Sequence, residues 1–333
     1  MAAKRVAAVI AVAYYLLFER VTFADSIRRL CATPRSGSRL RNRQRFSSLQ
    51  AALSRTEFTR AFRMTHPTFL TLLRLLEGDL TRDMRMAARS SGGRVEPAIR
   101  LALTVRMLSG ASYLDMMMLF RLASSTVYDV FHSTVASITR RIAMPGLPSA
   151  QAELQSLALA FTTSRQPPNP LYGCVGAVDG ICIEIQIPAD EYGPRGFYCR
   201  KGMYAIPAQA LVDAKYRFLY LSAKCTGSTP DGIAWESSSL GMLLRRKSLP
   251  LGFWIAGDAA YPCRNGVLTP WTAGQLLDNV FGVSRDAFNF FHSSLRMHVE
   301  QAFGMLVQRF GILWRKLSFS LPTNNSVLSA CFR

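Results

Sequence analysis

A chain of 333 residues that is 49% hydrophobic can bury sizeable cores over most of its length, which excludes a disordered or low-complexity protein. Its 40 Lys and Arg against 21 Asp and Glu give a net charge of +19, which points to a polyanionic partner, with nucleic acid ahead of an anionic membrane surface. Seven cysteines (Cys31, Cys174, Cys182, Cys199, Cys225, Cys263 and Cys331) form no C-x-x-C pair; with four histidines they argue against a zinc ribbon or finger and fit reduced thiols in an intracellular protein.

The charge is concentrated at the front, where residues 1–150 hold 23 basic and 9 acidic residues, against 17 and 12 in residues 151–333. Nearly all of the front half's basic residues are Arg, whose planar fork suits phosphate. The apolar run Val6 to Phe18 follows Lys4 and Arg5 but is too short for a spanning helix and has no small-residue cleavage site, so a helix packed onto a domain is expected, with no membrane anchor. Arg28 to Arg45 reads as a basic linker, and residues 1–50 are taken together as the N-terminal segment.

Residues 51–145 are predicted to be helical. Phe58, Phe62, Phe69, Leu72, Leu73, Leu75 and Leu76 recur at helical spacing as far as Leu80. Pro97 opens a further helix that ends at Ser109-Gly110. Ser112 caps a short helix through Phe120, and Ser124 or Ser125 caps a longer one to about Ile142. Helix, tight turn and longer helix make a helix-turn-helix candidate that would expose Ser125, Thr126, Tyr128, Asp129 and His132, with Arg140 and Arg141 near its end; the same spacing also serves an ordinary bundle. The run Met116 to Met118 reads as core filling.

Prolines 145, 148, 167, 168 and 170 mark a domain boundary, after which the periodicity becomes strand-like. Strands are predicted within 173–187, from Ala208 to Val212, from Phe218 to Lys224 and from Gly252 to Gly257; helices are predicted from Ile233 to Arg246 and from Ser293 to Leu313. The result is an α/β class, a mixed sheet with flanking helices, preceded by an all-α region.

Asp179 lies in the apolar stretch Gly176 to Ile185, where a carboxylate needs a partner, a metal or a turn; Asp179-Gly180 also suits a tight hairpin. Asp258 ends a later apolar strand or begins a turn. Glu300 stands one helical turn from Arg296, beside an apolar face, where it reaches the sheet or merely pairs with Arg296. Strand ends and a covering helix commonly converge on one crevice, and two Asp and one Glu meeting there would hold hard cations through oxygen and support phosphodiester cleavage.

The ordered set Val178-Asp179-Gly180; Tyr198-Cys199-Arg200-Lys201-Gly202; Gln209 with Val212-Asp213; Gly227-Ser228 and Asp231; Gly257 to Pro262; Leu268-Thr269-Pro270; Phe288-Asn289; and Arg296-x-x-x-Glu300-x-x-Phe303-Gly304 resembles the PIF/Harbinger-type transposases, DDE nucleases with an RNase H-like fold. The resemblance implies a nuclease domain over 171–333 and a helix-turn-helix-like, DNA-contacting region ahead of it. It implies Asp179, Asp258 and Glu300 as catalytic metal ligands for magnesium or manganese, and Asp231 as a supporting acid. Arg200 and Lys201 would meet DNA, Arg296 would orient Glu300 or contact DNA, and DNA contact is also expected of Arg140 and Arg141. It further implies DNA as substrate, a nuclear location, a Myb-like DNA-binding partner and a homo-oligomer. Two positions depart from the family pattern: Pro230 stands where His precedes the Asp, and Val307 where a Lys is expected seven residues after Glu300. The chain also stops at Arg333 inside what resembles the family's last helix, which suggests a shortened C-terminus. A DNA-binding relic without the reaction is the alternative.

Overall fold

The computed structural model describes residues 43–81, 93–187 and 193–333; the expected helix Val6 to Phe18 and nearly all of the basic linker lie outside the described residues. The front begins with α1 (Phe46–Ala51), α2 (Arg55–Phe62) and α3 (His66–Leu80). One helical stripe was predicted over 58–80, but the backbone breaks at Arg63, which takes a left-handed φ of 57°. Ser54 and Glu57 form a reciprocal capping box on α2, and Thr65 caps α3 ahead of Pro67, so two start signals override the single periodicity. Phe46, Phe58, Phe62 and Phe69 pack ring on ring, with centroids 4.6 to 5.7 Å apart. Leu75, read as core, is 53% exposed.

Helices α4 (Pro97–Leu108), α5 (Tyr113–Phe120) and α6 (Ser124–Arg141) follow the predicted bounds. Ser112 and Asp115 box the start of α5, whereas the N-cap position of α6 is Ala123, which offers no side-chain cap, and Ser124 and Ser125 lie inside the helix instead of capping it as expected. Ser125 and Asp129 are exposed on α6, while Thr126, Tyr128 and His132 are half-buried, the Tyr128 ring lying tilted against Tyr113 at 5.4 Å. The methionine run splits: Met116 is buried and Met118 is 73% exposed, because consecutive helical residues point to different faces.

The stretch 145–170 was expected to be a boundary, yet it carries α7 (Gln151–Thr162), which packs on the sheet. Prolines at the flanks had masked the apolar spacing of Leu154, Ala158 and Phe161, all buried. The described residues then form β1 (Cys174–Glu184), α8 (Gly193–Phe197), β2 (Ala205–Val212), β3 (Phe218–Ser222), α9 (Asp231–Ser237), α10 (Ser239–Arg246), β4 (Trp254–Ala256), β5 (Val267–Leu268), α11 (Ala273–Leu276), α12 (Gly282–Arg309) and α13 (Leu321–Phe332). The strands make one mixed sheet in the order β3-β2-β1-β4-β5, antiparallel from β3 to β1 and parallel from β1 to β5. This is the predicted α/β class.

Helix α12 begins 11 residues before the predicted Ser293, and the helix predicted over 233–246 is divided at Ser238, whose hydroxyl caps α10. The sheet's two faces have separate apolar neighbourhoods. Ala177, Ile183, Ile206 and Ala208 share theirs with Leu295 and Val299 of α12 and with the front helices, while Val175, Val178, Leu211 and Ile255 face Trp235, Leu240 and Tyr261. The C-terminal α13 packs on α6, so both ends of the described chain meet in one continuous core.

Asp79 at the end of α3 joins that helix to α6 by accepting from Arg140 Nη2 at 2.8 Å, Arg141 Nε at 2.9 Å and Arg141 Nη2 at 2.7 Å. The two guanidiniums hold its carboxyl well below its ordinary value of 3.8, so the tie is fully present above that value and fades as pH falls below it. Asp79→Asn should therefore lower the thermal midpoint at neutral pH, and the gap to wild type should narrow in acid below the ordinary carboxylate range. Equal midpoints at neutral pH would show that the tie carries no stability.

Candidate active site

Strand β1 is continuous through Asp179-Gly180, which rules out the hairpin turn that this pair also suited. Asp179 lies opposite Ala210 and Gly180 opposite Gln209. Since successive side chains leave a strand on opposite faces, Asp179 faces α12 and its two neighbours face the other side. Between the Ala177↔Ala256 pair and a single bridge of Ile185 to Leu317, the β4 edge of β1 has no strand partner, and the chain turns after β4. That turn carries Asp258, whose Oδ1 accepts from Ala260 N at 2.9 Å, the turn use that its sequence position also allowed.

Helix α12 is fixed over this edge by a shared acceptor. The carbonyl of Leu268 on β5 receives Gly257 N–H at 3.0 Å, the residue before Asp258, and lies 3.0 Å from His292 Nε2, one turn before Arg296. His292 is buried and stacks on Trp254 at 6.0 Å; burial pushes its pKa down, towards the neutral imidazole, and because a carbonyl can only accept, Nε2 carries the proton given to Leu268. Leu295 and Val299 then bury against the sheet, leaving Arg296 and Glu300 at the rim. Asn289, one turn before His292, bonds both backbone groups of Trp271 at 2.8 and 3.0 Å, which gives the Phe288-Asn289 motif a local role.

Arg296 bridges two of the three acids: Nη1 is 3.4 Å from Asp179 Oδ2 and Nη2 is 2.6 Å from Glu300 Oε1. Asp179 is pushed up to about 6, first by burial and further by the charges of Asp258 and Glu300; the Gly180 N–H at 2.7 Å from Oδ1 and Arg296 pull the other way. The three predicted acids thus share one electrostatic site. Among the described residues no three His, Cys, Asp or Glu side chains converge closely enough to hold a metal ion in the present arrangement, and Arg296 stands between Asp179 and Glu300. The donor chemistry is nevertheless that of a hard divalent cation: all three side chains are carboxylates, and a cation among them would offset the burial and the neighbouring charges that raise Asp179.

The other predicted residues stand elsewhere. Asp231 begins α9 and reaches Gly180 from the opposite face of β1, where its Oδ1 accepts from Gln209 Nε2 at 2.9 Å and its Oδ2 from Arg200 Nη2 at 3.3 Å. Arg200 and Lys201 are exposed in the β1–β2 connection on that side. Arg140 and Arg141 lie on α6, tied to Asp79. Pro230 is the N-cap position of α9 and offers no side-chain cap, while Val307 packs partly buried against the core. Sequence reading gave no role to Gln209 and Tyr261, although both lie within its motifs. They are buried, joined by a hydrogen bond from the Tyr261 hydroxyl to Gln209 Oε1, and the signal was a lone polar residue in the apolar run Ala205 to Val212.

Residues 178–333 match the family of DDE superfamily endonucleases. Protein ALP1-like from Arabidopsis thaliana is 26% identical over 283 residues, covering 80% of this chain and 67% of its own length. Putative nuclease HARBI1 from Mus musculus is 24% identical over 184 residues, 55% of this chain and 49% of its own. No solved structure shows a significant match.

Asp179's charge environment gives two shifts of opposite sign. In chelator-treated protein, Arg296→Gln should raise the Asp179 carboxyl above about 6, and Asp258→Asn should lower it, because the guanidinium favours the carboxylate and the neighbouring acid opposes it. Carboxyl carbon titration by NMR reads both, and shifts of the same sign in the two variants would contradict the shared site.

Proposed function

We propose, for a chain whose residues 178–333 belong to the Harbinger-type DDE superfamily endonucleases, that it is a metal-dependent nuclease that hydrolyses DNA phosphodiesters, with transfer of the freed 3′ end as an extension of the same chemistry. The observation that carries this reading is the electrostatic coupling of Asp258 and Glu300 to a half-buried Asp179 at the open edge of β1. Mixed sheet, carboxylates at strand ends and a long covering helix suit an RNase H-like nuclease domain over 171–333. Magnesium or manganese held by Asp179, Asp258 and Glu300 would supply activation of a water and neutralisation of charge at the phosphate.

The chain's own residues have separable tasks. Arg296 counterbalances the acids and sets the side chain of Glu300 through their 2.6 Å contact. Arg200 and Lys201, exposed on the opposite rim, meet backbone phosphates. The helical region 51–145 contacts flanking DNA through a helix-turn-helix-like arrangement of α4 to α6, with Ser125 and Asp129 outward and Arg140 and Arg141 still half or more exposed beyond their pairing with Asp79. The net charge of +19 supports DNA as substrate. A nuclear location, a Myb-like DNA-binding partner and a homo-oligomer belong to the same reading through the family resemblance. No helix among the described residues is long and apolar enough to cross a membrane.

A DNA-binding protein that has lost the reaction is the second reading. It is favoured by Val307 packed inward where the family pattern has a Lys, and by Pro230 in place of His before Asp231. Nicking of supercoiled plasmid by the purified chain with manganese distinguishes the two. Asp179→Ala, Asp258→Ala and Glu300→Ala should each lower the rate at least about a hundredfold while binding duplex in chelator. Salt-sensitive binding with no nicking by the unmodified chain would establish the second reading.

A further inference from the structure

Strand β2 is buried at every position, and Gln209 is its one polar side chain, 1% exposed. An amide in such a place is costly unless both ends are bonded, and a Leu of similar volume would serve packing alone. Both ends are bonded: the Tyr261 hydroxyl donates to Oε1, and Nε2 donates to Asp231 Oδ1 at 2.9 Å. Asp231 Oδ2 accepts from Arg200, whose side chain is 79% exposed. The sequence leaves room for this group, since a Cβ on Gly180 would stand 2.6 Å from both Asp231 Oδ1 and Gln209 Nε2.

The two ends of the relay select the orientation of the Gln209 amide. An amide fits its pocket in either of two flips, and its partners choose one. The Asp231 carboxylate can only accept, so the amide nitrogen faces it, which leaves Oε1 to take the Tyr261 hydroxyl proton. Without that hydroxyl, Oε1 is buried with no donor, and the amide that holds Asp231 loses its anchor at the other end. Tyr261 also stands on the Asp258 turn, its backbone N–H donating to the Asp258 carbonyl at 3.1 Å. One end of the relay is thus the turn of a site acid, and the other is a solvent-facing cation.

We propose that Tyr261 and Gln209 are positioning residues that fix Asp231, and through it Arg200, so that the guanidinium grips a DNA phosphate at the rim on the other face of β1 from the acids. The inference rests on the DNA-processing reading above and adds the residues that hold its phosphate arm.

The test is a double-mutant cycle on affinity for a short duplex in chelator, read by fluorescence anisotropy, with thermal midpoints measured alongside. Arg200→Gln should weaken binding about three- to tenfold, the worth of one charge-assisted contact. Tyr261→Phe should cost about threefold alone and nothing further in the Arg200→Gln background, since it acts only through Arg200. A merely structural Tyr261 would lower the midpoint and weaken both backgrounds by the same factor, so multiplying effects overturn the proposal. It is also overturned if either single variant folds and binds as wild type does. Should Tyr261→Phe fail to fold, Gln209→Met, which keeps the volume and removes the amide, carries the same cycle. Coupling without plasmid nicking would sink the nuclease reading and leave the relay standing; nicking without coupling would do the reverse.

Discussion

A carboxylate desolvated in the middle of a strand is the constraint around which this molecule is arranged. Asp179 is held half out of water by β1, crowded by Asp258 and Glu300, and relieved by Arg296 and the Gly180 N–H. Burial by itself favours its protonated form, and the two acids add to that. Keeping it near the boundary between its two states requires an open strand edge, a turn that brings Asp258 to that edge, and a helix that delivers one cation and one acid a single turn apart. Each is supplied by a separate element: the end of β4, the turn that follows it, and α12.

Those elements are held together at one atom. The Leu268 carbonyl fixes both the residue before Asp258 and the helix turn before Arg296, so the spacing between the acids depends on a short two-residue strand and a buried neutral imidazole. The network on the other face of β1 is built differently, from side chains alone, and it ends at solvent. β1 is therefore a partition, with the acids paired to Arg296 on one side and a hydrogen-bonded relay leading through Asp231 to a basic rim on the other. Gly180 is what lets the partition be thin, because only hydrogen fits between the strand and Asp231.

Much of the acid site was legible in the sequence, for a physical reason. Charged residues in apolar runs are costly, so Asp179 and Asp258 stood out against their neighbours, and Glu300 lay beside the apolar stripe of Leu295, Val299 and Ala302. Helices with Pro or Ser start signals, such as α4 and α5, were legible to their ends. Less so was anything decided by tertiary contact: the break at Arg63, the extra turns of α12 before Ser293, and α7 between flanking prolines. Gln209 and Tyr261 were hidden because their partners lie 22 and 52 residues from Gln209 in the chain, and a hydrogen bond across that span leaves no local pattern.

The placement of the front helices follows from the same core. α13 packs on α6, and Phe332 meets Phe218 of β3 at 4.6 Å and Phe303 of α12 at 6.3 Å, so the last helix binds the helical layer to the sheet and to the site helix at once. α12 is thus clamped at two places along its length, by Leu268 near its middle and by α13 beyond Glu300. A helix held on both sides of Arg296 and Glu300 cannot swing as a lever, so adjustment at the acids must come from side-chain rotation. Arg296 is the group with that freedom: it is partly exposed, is bonded to two different acids, and gives up only modest energy on exchanging either for a phosphate oxygen.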